Sequence, residues 1–186
     1  MATELNAINI LLVARGVTPV TDPDSGHPDV QGAKALLAQH KRAVNSTKNW
    51  YNTEADVDIS PDVNGYLNVP VRVIALDEDS NYVIMAGKLY DPTTRTNVFT
   101  EAAEGLTYII DRDWENLPIQ AFDYIVAMAK EEFIRPLESE LMTSRAEKDV
   151  TIKKAIFDIT DYRYKDVGKE NQNPLMLKWR QKMISR

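Results

Sequence analysis

The chain has 186 residues, enough for one domain with a real core or two small subdomains, and its 44% hydrophobic and 27% charged residues suit a soluble globular protein. It has no cysteine and only two histidines, His27 and His40, which excludes disulfides, thiolate zinc sites and cysteine nucleophiles and argues against a histidine-rich metal centre. The net charge of −6 is uneven: the last sixteen residues carry +4, which leaves −10 on the first 170, and an acidic body repels phosphate instead of gaining from counterion release.

The opening MATELNAINILLVARG has no basic start and carries Glu4 ahead of its apolar run, unlike a signal peptide, and the run Ile10 to Ala14 is too short to span a bilayer. It reads as a helix over Thr3 to Arg15, with Thr3 as N-cap, Leu5, Ile8 and Leu12 on one face and Gly16 as stop. The Pro-, Gly- and Asp-rich VTPVTDPDSGHPD that follows is a loop. A second helix is expected from Pro28–Asp29 to about Lys48, with Val30, Ala33, Leu37, His40 and Val44 on its core stripe; His40 is then expected to be a packed residue, not a ligand.

From Asn49 to Asp113 the period changes. WYNTEADVDI, GYLNV, VRVIAL, NYVIMAG, KLYD, NVFT and LTYIID are short, rich in β-branched and aromatic residues, and separated by turns such as SPDVNG and DPTTRTN. The expectation is an antiparallel sheet of five or six strands. After Asn116 the helical period returns: Ile119, Phe122, Val126, Ala129 and Phe133 form a one-face stripe that Pro136 breaks. A last long helix should run from about Leu137 towards Val167, with Ile152, Ile156 and Ile159 on one face and Gly168 as stop, before a polar KENQNP linker.

The predicted class is therefore α+β: a helical bundle from the N- and C-terminal helices (1–48 and 116–170), an inserted antiparallel β lobe (49–115) and an extended C-terminal tail (171–186). The bundle is expected to pack the N-terminal helix pair against the C-terminal pair, because each helix has one apolar stripe to cover.

One acidic cluster raises the question of chemistry. In IIDRDWENLP, Asp111, Asp113 and Glu115 open like a calcium loop, but Asn116 stands where a glycine is needed and Phe122 where a glutamate is needed; DEDSNY from Asp77 fails in the same way at Tyr82 and Lys88. A glycosidase would need two carboxylates across a cleft with separated pKa values, and closeness in sequence among 28 acidic residues does not supply that. The acids suit a strand-to-helix junction better, with Asn116 capping the next helix, Pro118 in its first turn and Trp114 packing at the corner. No P-loop, GxGxxG, HExxH or GxSxG pattern occurs, so no catalytic, cofactor-binding or metal residue is assigned. The NST at Asn45 matches a glycosylation acceptor only formally, since it falls inside a helix.

In the terminal NPLMLKWRQKMISR, Met176, Trp179 and Met183 recur at i, i+3, i+7 between Lys178, Arg180 and Lys182. This suits a docking peptide anchored by a tryptophan on an acidic partner surface, with Leu175, Met176, Trp179, Arg180 and Met183 as the contact residues. A frayed basic terminus is the bland alternative.

The order of segments resembles the tail tubular protein A family, the head-to-tail adaptors or gatekeepers of short-tailed bacteriophages (podoviruses). The resemblance rests on the opening helix ending in Gly16 before Pro19–Val20, on NWYNTE after the second helix, on GKLYD in the sheet and on IIDRDWENLPIQAFDYI. Val17 stands where relatives often carry an acid, and the tail after Gly168 is this chain's own.

The resemblance implies a non-enzymatic virion protein, assembled in the host cytoplasm. Its copies, usually twelve, would ring the channel between the portal protein and the tail nozzle protein (tail tubular protein B). DNA would pass without sequence-specific binding, and no membrane would be involved. Twelve copies at −6 would carry about −72, so acidic bore walls are expected to let DNA slide. The portal would be the partner of the C-terminal tail. Two other readings remain: a tail-associated carbohydrate hydrolase using Asp111, Asp113 and Glu115, and a small regulatory module using its basic tail as a ligand.

Overall fold

The computed structural model describes residues 2–135 and 140–166. In chain order it holds α1 (Glu4–Ala14), α2 (Pro28–Asn45), β1 (Thr53–Ile59), β2 (Val73–Leu76), β3 (Val83–Met85), β4 (Lys88–Tyr90), β5 (Ala103–Ile110), a 3₁₀ turn (Trp114–Asn116), α3 (Ile119–Ile134) and α4 (Glu140–Asp166). The class is α+β, as the sequence predicts. The expected break at Pro136, the helix start at Leu137, the stop at Gly168 and the tail lie outside the described residues.

α1 starts where expected: the Thr3 hydroxyl accepts from the Asn6 amide at 3.2 Å, and Gly16 at φ +77 takes the left-handed conformation after the last turn. The next loop is clamped to α1 by Asn9, whose side chain donates to the Val20 carbonyl (2.9 Å) and accepts from the Val20 amide (2.8 Å). α2 uses a cap the sequence did not suggest: His27 Nδ1 accepts from the Asp29 amide at 3.2 Å, with Pro28 in the first turn. It ends at Asn45, not Lys48, because the 46–52 segment turns back to form a polar knot described below.

The helical core joins Ile8, Leu11 and Leu12 of α1, Val30, Ala33, Leu37 and Val44 of α2, and Phe122, Ile125, Val126, Ala129 and Phe133 of α3, all buried. Full burial of one such large side chain contributes roughly 1.5–3 kcal/mol. Three stripe predictions need correction. Leu5 is only partly buried, and Ala7 and Leu11 complete the buried face of α1 instead. His40 is only partly buried and bonds through Nε2 to Glu132 of α3 at 2.9 Å. Ile119 is 57% exposed, since the first residue of α3 lies beyond the packed stretch, and Ala121 and Ile125 take its place.

The largest departure concerns α4. It packs on α3 rather than completing a four-way bundle, and among its described side chains Ala146 and Phe157 are buried. Ile152, Ile156 and Ile159 are 58%, 45% and 49% exposed. They share a helix face, as their spacing predicts, but it is not the face that meets α3: Lys153, which bonds Asp123 of α3 at 2.7 Å, and Phe157 mark the inward side.

The expected single sheet is two: a three-stranded sheet ordered β1-β5-β2 and the β3–β4 hairpin, all antiparallel. GYLNV and NVFT form no strands. Each touches its neighbours through isolated contacts instead, the Asn68–Lys88 bridge and the Phe99 amide to the Gly65 carbonyl (2.8 Å). Local side-chain bonds take two of the amides involved: Tyr66 donates to Asp62 and Val98 to the Thr96 hydroxyl. Leu67, Val69 and Leu89 nevertheless bury against Leu106, Tyr108 and Ile110 of β5, giving a second apolar cluster distinct from the helical one.

Candidate functional site

The acidic stretch after β5 is the place where helices and sheet are tied. Asp111 accepts from Lys41 Nζ (2.8 Å) and Asn45 Nδ2 (2.7 Å), both from α2. Arg112 donates to the Tyr51 carbonyl (3.1 Å) and to Glu54 of β1 (3.2 Å), and Asp113 pairs with Arg72 at 2.8 Å. Two of the three acids thus face in different directions, each onto its own cation. Trp114 packs edge-to-face on Phe122 with ring centroids 6.0 Å apart, as the corner residue it was expected to be. The capping expectation fails: burial of Trp114 inserts a 3₁₀ turn, so Asn116 falls one turn early and Pro118 holds the N-cap position without a side-chain bond.

Behind the acids lies a buried amide network. Asn45 is wholly buried, which removes it as a glycosylation acceptor; its Oδ1 accepts from the Tyr51 hydroxyl at 2.8 Å. Asn52 donates to the carbonyls of Asn45 (2.7 Å) and Thr47 (3.0 Å) and accepts from the Asn49 amide (2.9 Å). Asn49 donates to the carbonyls of Val44 and Thr47, both at 3.0 Å. Burial, then the nearby Asp161 and Asp111 charges, raises the Tyr51 phenol, which therefore stays a neutral donor. The sequence put Trp50 to Asn52 at the head of the strand run WYNTEADVDI, with NWYNTE also carrying the family resemblance. β1 begins only at Thr53, because the asparagine side chains turn this segment back on the end of α2. The density of asparagine over 45–52 was the available signal for a loop that supplies its own donors and acceptors.

For Asp111, burial alone would raise the carboxyl, but the bonds from Lys41 and Asn45 outweigh it and hold it below the ordinary carboxylate range. Asp77 is lowered chiefly by its bond from Lys48. A carboxyl whose folded pKa is depressed contributes stability above its unfolded value, about 3.9, and loses that contribution as pH falls through the folded value. Stability should thus fall below about pH 4, and an Asp111→Asn variant should show a shallower fall in the urea midpoint between pH 4 and 2. Parallel curves for the two proteins would contradict this role. A glycosidase acid needs a raised pKa, so Asp111 is a poor general acid.

Among the described residues no group of three or more His, Asp or Glu side chains is placed to hold a metal ion, and no helix is long and apolar enough to cross a membrane. What the surface does offer is exposed aliphatic side chains: the α4 isoleucines, with Arg145, Lys148 and Arg163 exposed on the same helix, and Val63 and Val71 on the β lobe. The three isoleucines share one helix face, whereas Val63 and Val71 are single exposed side chains. The predicted docking residues Leu175, Met176, Trp179, Arg180 and Met183 lie outside the described residues.

A family model described as tail tubular protein matches residues 5–167, nearly all of the described fold. The chain belongs to the tail tubular protein family. This makes it a structural component of a phage tail. Tail tubular protein A of Klebsiella phage KP34 is 32% identical over 121 residues, which span 63% of this chain and 64% of that protein. The aligned stretch therefore covers less than two thirds of that relative's length. For a tail tubular protein, the knot of Asn45, Asn52 and Asp111 is intelligible as a brace between α2 and the end of β5, since Asn45 of α2 bonds both Asp111 and the 49–52 segment that leads into β1.

Proposed function

We propose that this tail tubular protein is the ring-shaped adaptor that joins the portal to the tail nozzle, with its bore forming part of the DNA ejection channel. The α4 face of Ile152, Ile156 and Ile159 carries this reading: three half-exposed isoleucines on one helix are costly in water and are covered when copies pack side by side. The family supports a tail role, and the name of the KP34 relative agrees with it. In this reading, 1–48 with 116–170 act as a helical domain, 49–115 as a β domain, and 171–186 as a docking tail that reaches the portal through Leu175, Met176, Trp179, Arg180 and Met183. The net charge of −6 per copy favours an acidic bore along which DNA slides. A basic bore in the assembled ring would overturn that part.

Native mass measurement of the purified chain, alone and with its portal, tests the class. A cyclic assembly, twelve copies in the simplest case, is expected; a chain that stays monomeric beside portal and nozzle would refute the proposal. Truncation after Asn173 should abolish portal capture while leaving circular dichroism and melting unchanged. Undiminished capture would remove the tail from the mechanism.

A further inference from the structure

The sequence holds one Asn–Gly pair, Asn64–Gly65, and it lies in the exposed turn that follows β1. Asparagine before glycine is the pairing most prone to spontaneous loss of the side-chain amide. The backbone nitrogen of the following residue attacks the asparagine Cγ, and glycine has no Cβ to obstruct the approach. Every other asparagine precedes a residue with a Cβ, and Asn45, Asn49 and Asn52 are buried as well.

The folded turn works against that attack. The Gly65 amide, whose nitrogen is the nucleophile, donates to the Asp62 carbonyl at 2.9 Å, and the Gly65 carbonyl accepts from the Phe99 amide at 2.8 Å. Both sides of Gly65 are therefore tied. The Asp62 carboxylate braces the rest: one oxygen accepts from the Asn64 amide (2.8 Å) and the Tyr66 amide (3.0 Å), the other from Asn68 Nδ2 (2.9 Å). The bonds from Tyr66 and Asn68 hold the Asp62 carboxyl below the ordinary carboxylate range, so the brace stays charged at the neutral and alkaline pH where cyclisation proceeds. Gly65 is at φ +79, and a Cβ there would lie 2.8 Å from Val98 Cγ1 and 3.1 Å from the Phe99 carbonyl oxygen. With so little room, the Gly65 nitrogen reaches the Asn64 side chain only when the turn opens.

We infer that Asn64 is a self-modification site of this chain, and that the turn braced by Asp62 restrains its conversion to aspartate and isoaspartate. The Gly65 nitrogen loses its proton to solvent base and bonds to the Asn64 Cγ. The bond from Cγ to Nδ2 breaks, and the departing nitrogen takes up a proton and leaves as ammonia. Water then opens the cyclic imide at either carbonyl, giving aspartate or isoaspartate. The rate follows the fraction of time the turn spends open, as amide exchange does. Isoaspartate routes the main chain through the old side chain and lengthens it between residues held by Asp62 and Phe99. That segment carries the wholly buried Leu67, so conversion loosens the cover of the β-lobe core.

The test incubates the full chain at mildly alkaline pH, folded in buffer and unfolded in guanidinium chloride. Peptide mapping by mass spectrometry then follows the change of amide to acid at each asparagine. In denaturant Asn64 should convert first, and in buffer its conversion should be at least about tenfold slower, because the turn must open before reaction. Equal rates in the two conditions, or another asparagine converting first in denaturant, would overturn the inference. Two variants separate the brace from the fold at large. Asp62→Ala removes the carboxylate that holds the Asn64 and Tyr66 amides and should bring the folded rate towards the unfolded one. Asp62→Asn keeps an acceptor oxygen for both amides and should stay near the parent. An Asp62→Ala chain with parental circular dichroism and a parental rate would remove Asp62 from the restraint. The parent comparison needs no variant, so it decides the outcome even where Asp62→Ala disturbs the lobe.

Discussion

Replacing Phe157 by alanine should destabilise the protein by about 3–5 kcal/mol, the range for deleting a buried phenylalanine. Phe157 is the one large buried side chain that α4 sends into the helical core among the described residues. Its ring lies 5.2 Å from Trp50, 5.4 Å from Tyr124 and 6.4 Å from Tyr51, so its loss opens a cavity among three other aromatics. Other ties of α4 are more peripheral, among them Trp50 stacked on Tyr164 at 5.8 Å, the Trp50 amide on Asp161 (2.9 Å), Lys153 on Asp123 (2.7 Å), Lys130 on Asp149 (3.8 Å) and Lys165 on the Lys48 carbonyl. Exposed ion pairs of this kind contribute about 0–1 kcal/mol each and do not make up the deficit. The melting temperature should drop by roughly 10 °C or more, and α4 amides should exchange faster than those of α1 to α3. A variant that melts within a degree of the parent, with α4 still protected, would show that α4 is held by something else.

Asn52→Ala should cost about 2–4 kcal/mol, since each buried polar group left unsatisfied costs about 1–3 kcal/mol. Asn52 is wholly buried, and its side chain serves three backbone groups: the Asn45 and Thr47 carbonyls and the Asn49 amide. Thr47 keeps its bond from Asn49, but the Asn45 carbonyl, at the open end of α2, and the Asn49 amide each lose this partner. The effect should couple to Asn45, because both residues order the same loop. The double variant Asn45→Ala, Asn52→Ala should therefore lose less than the sum of the singles. Urea unfolding of the four proteins measures this directly. Full additivity, or a single-variant loss under about 0.5 kcal/mol, would mean that water replaces the side chain without cost.

Much of the architecture was legible from periodicity. Thr3, Gly16, Pro28 and the 3–4 spacing of Phe122, Val126, Ala129 and Phe133 report local geometry, and α1, α2 and α3 appear where those signals put them. Strands were legible as a region rather than one by one. A four- or five-residue run such as GYLNV is compatible with a ladder or an irregular crossing, and the choice depends on which turns take its hydrogen bonds. The acids after β5 could be named as a junction, but their partners lie about 40 to 70 positions away in Arg72, Asn45 and Lys41, beyond the reach of any local pattern.

By itself the sequence determined that the chain is α+β, that its helices carry apolar stripes, that it lacks thiol chemistry, and that its body is acidic; these follow from composition and from repeats of two or about 3.6 residues, properties of the local chain. The tertiary structure alone decided which stripes are consumed. Ile152, Ile156 and Ile159 form a stripe as regular as the one on α3, yet α4 turns Phe157 inward and leaves them in water. That choice is made by the shape of the cavity between Trp50 and Tyr124, because a helix with apolar residues on two faces buries whichever face finds the better-fitting partner.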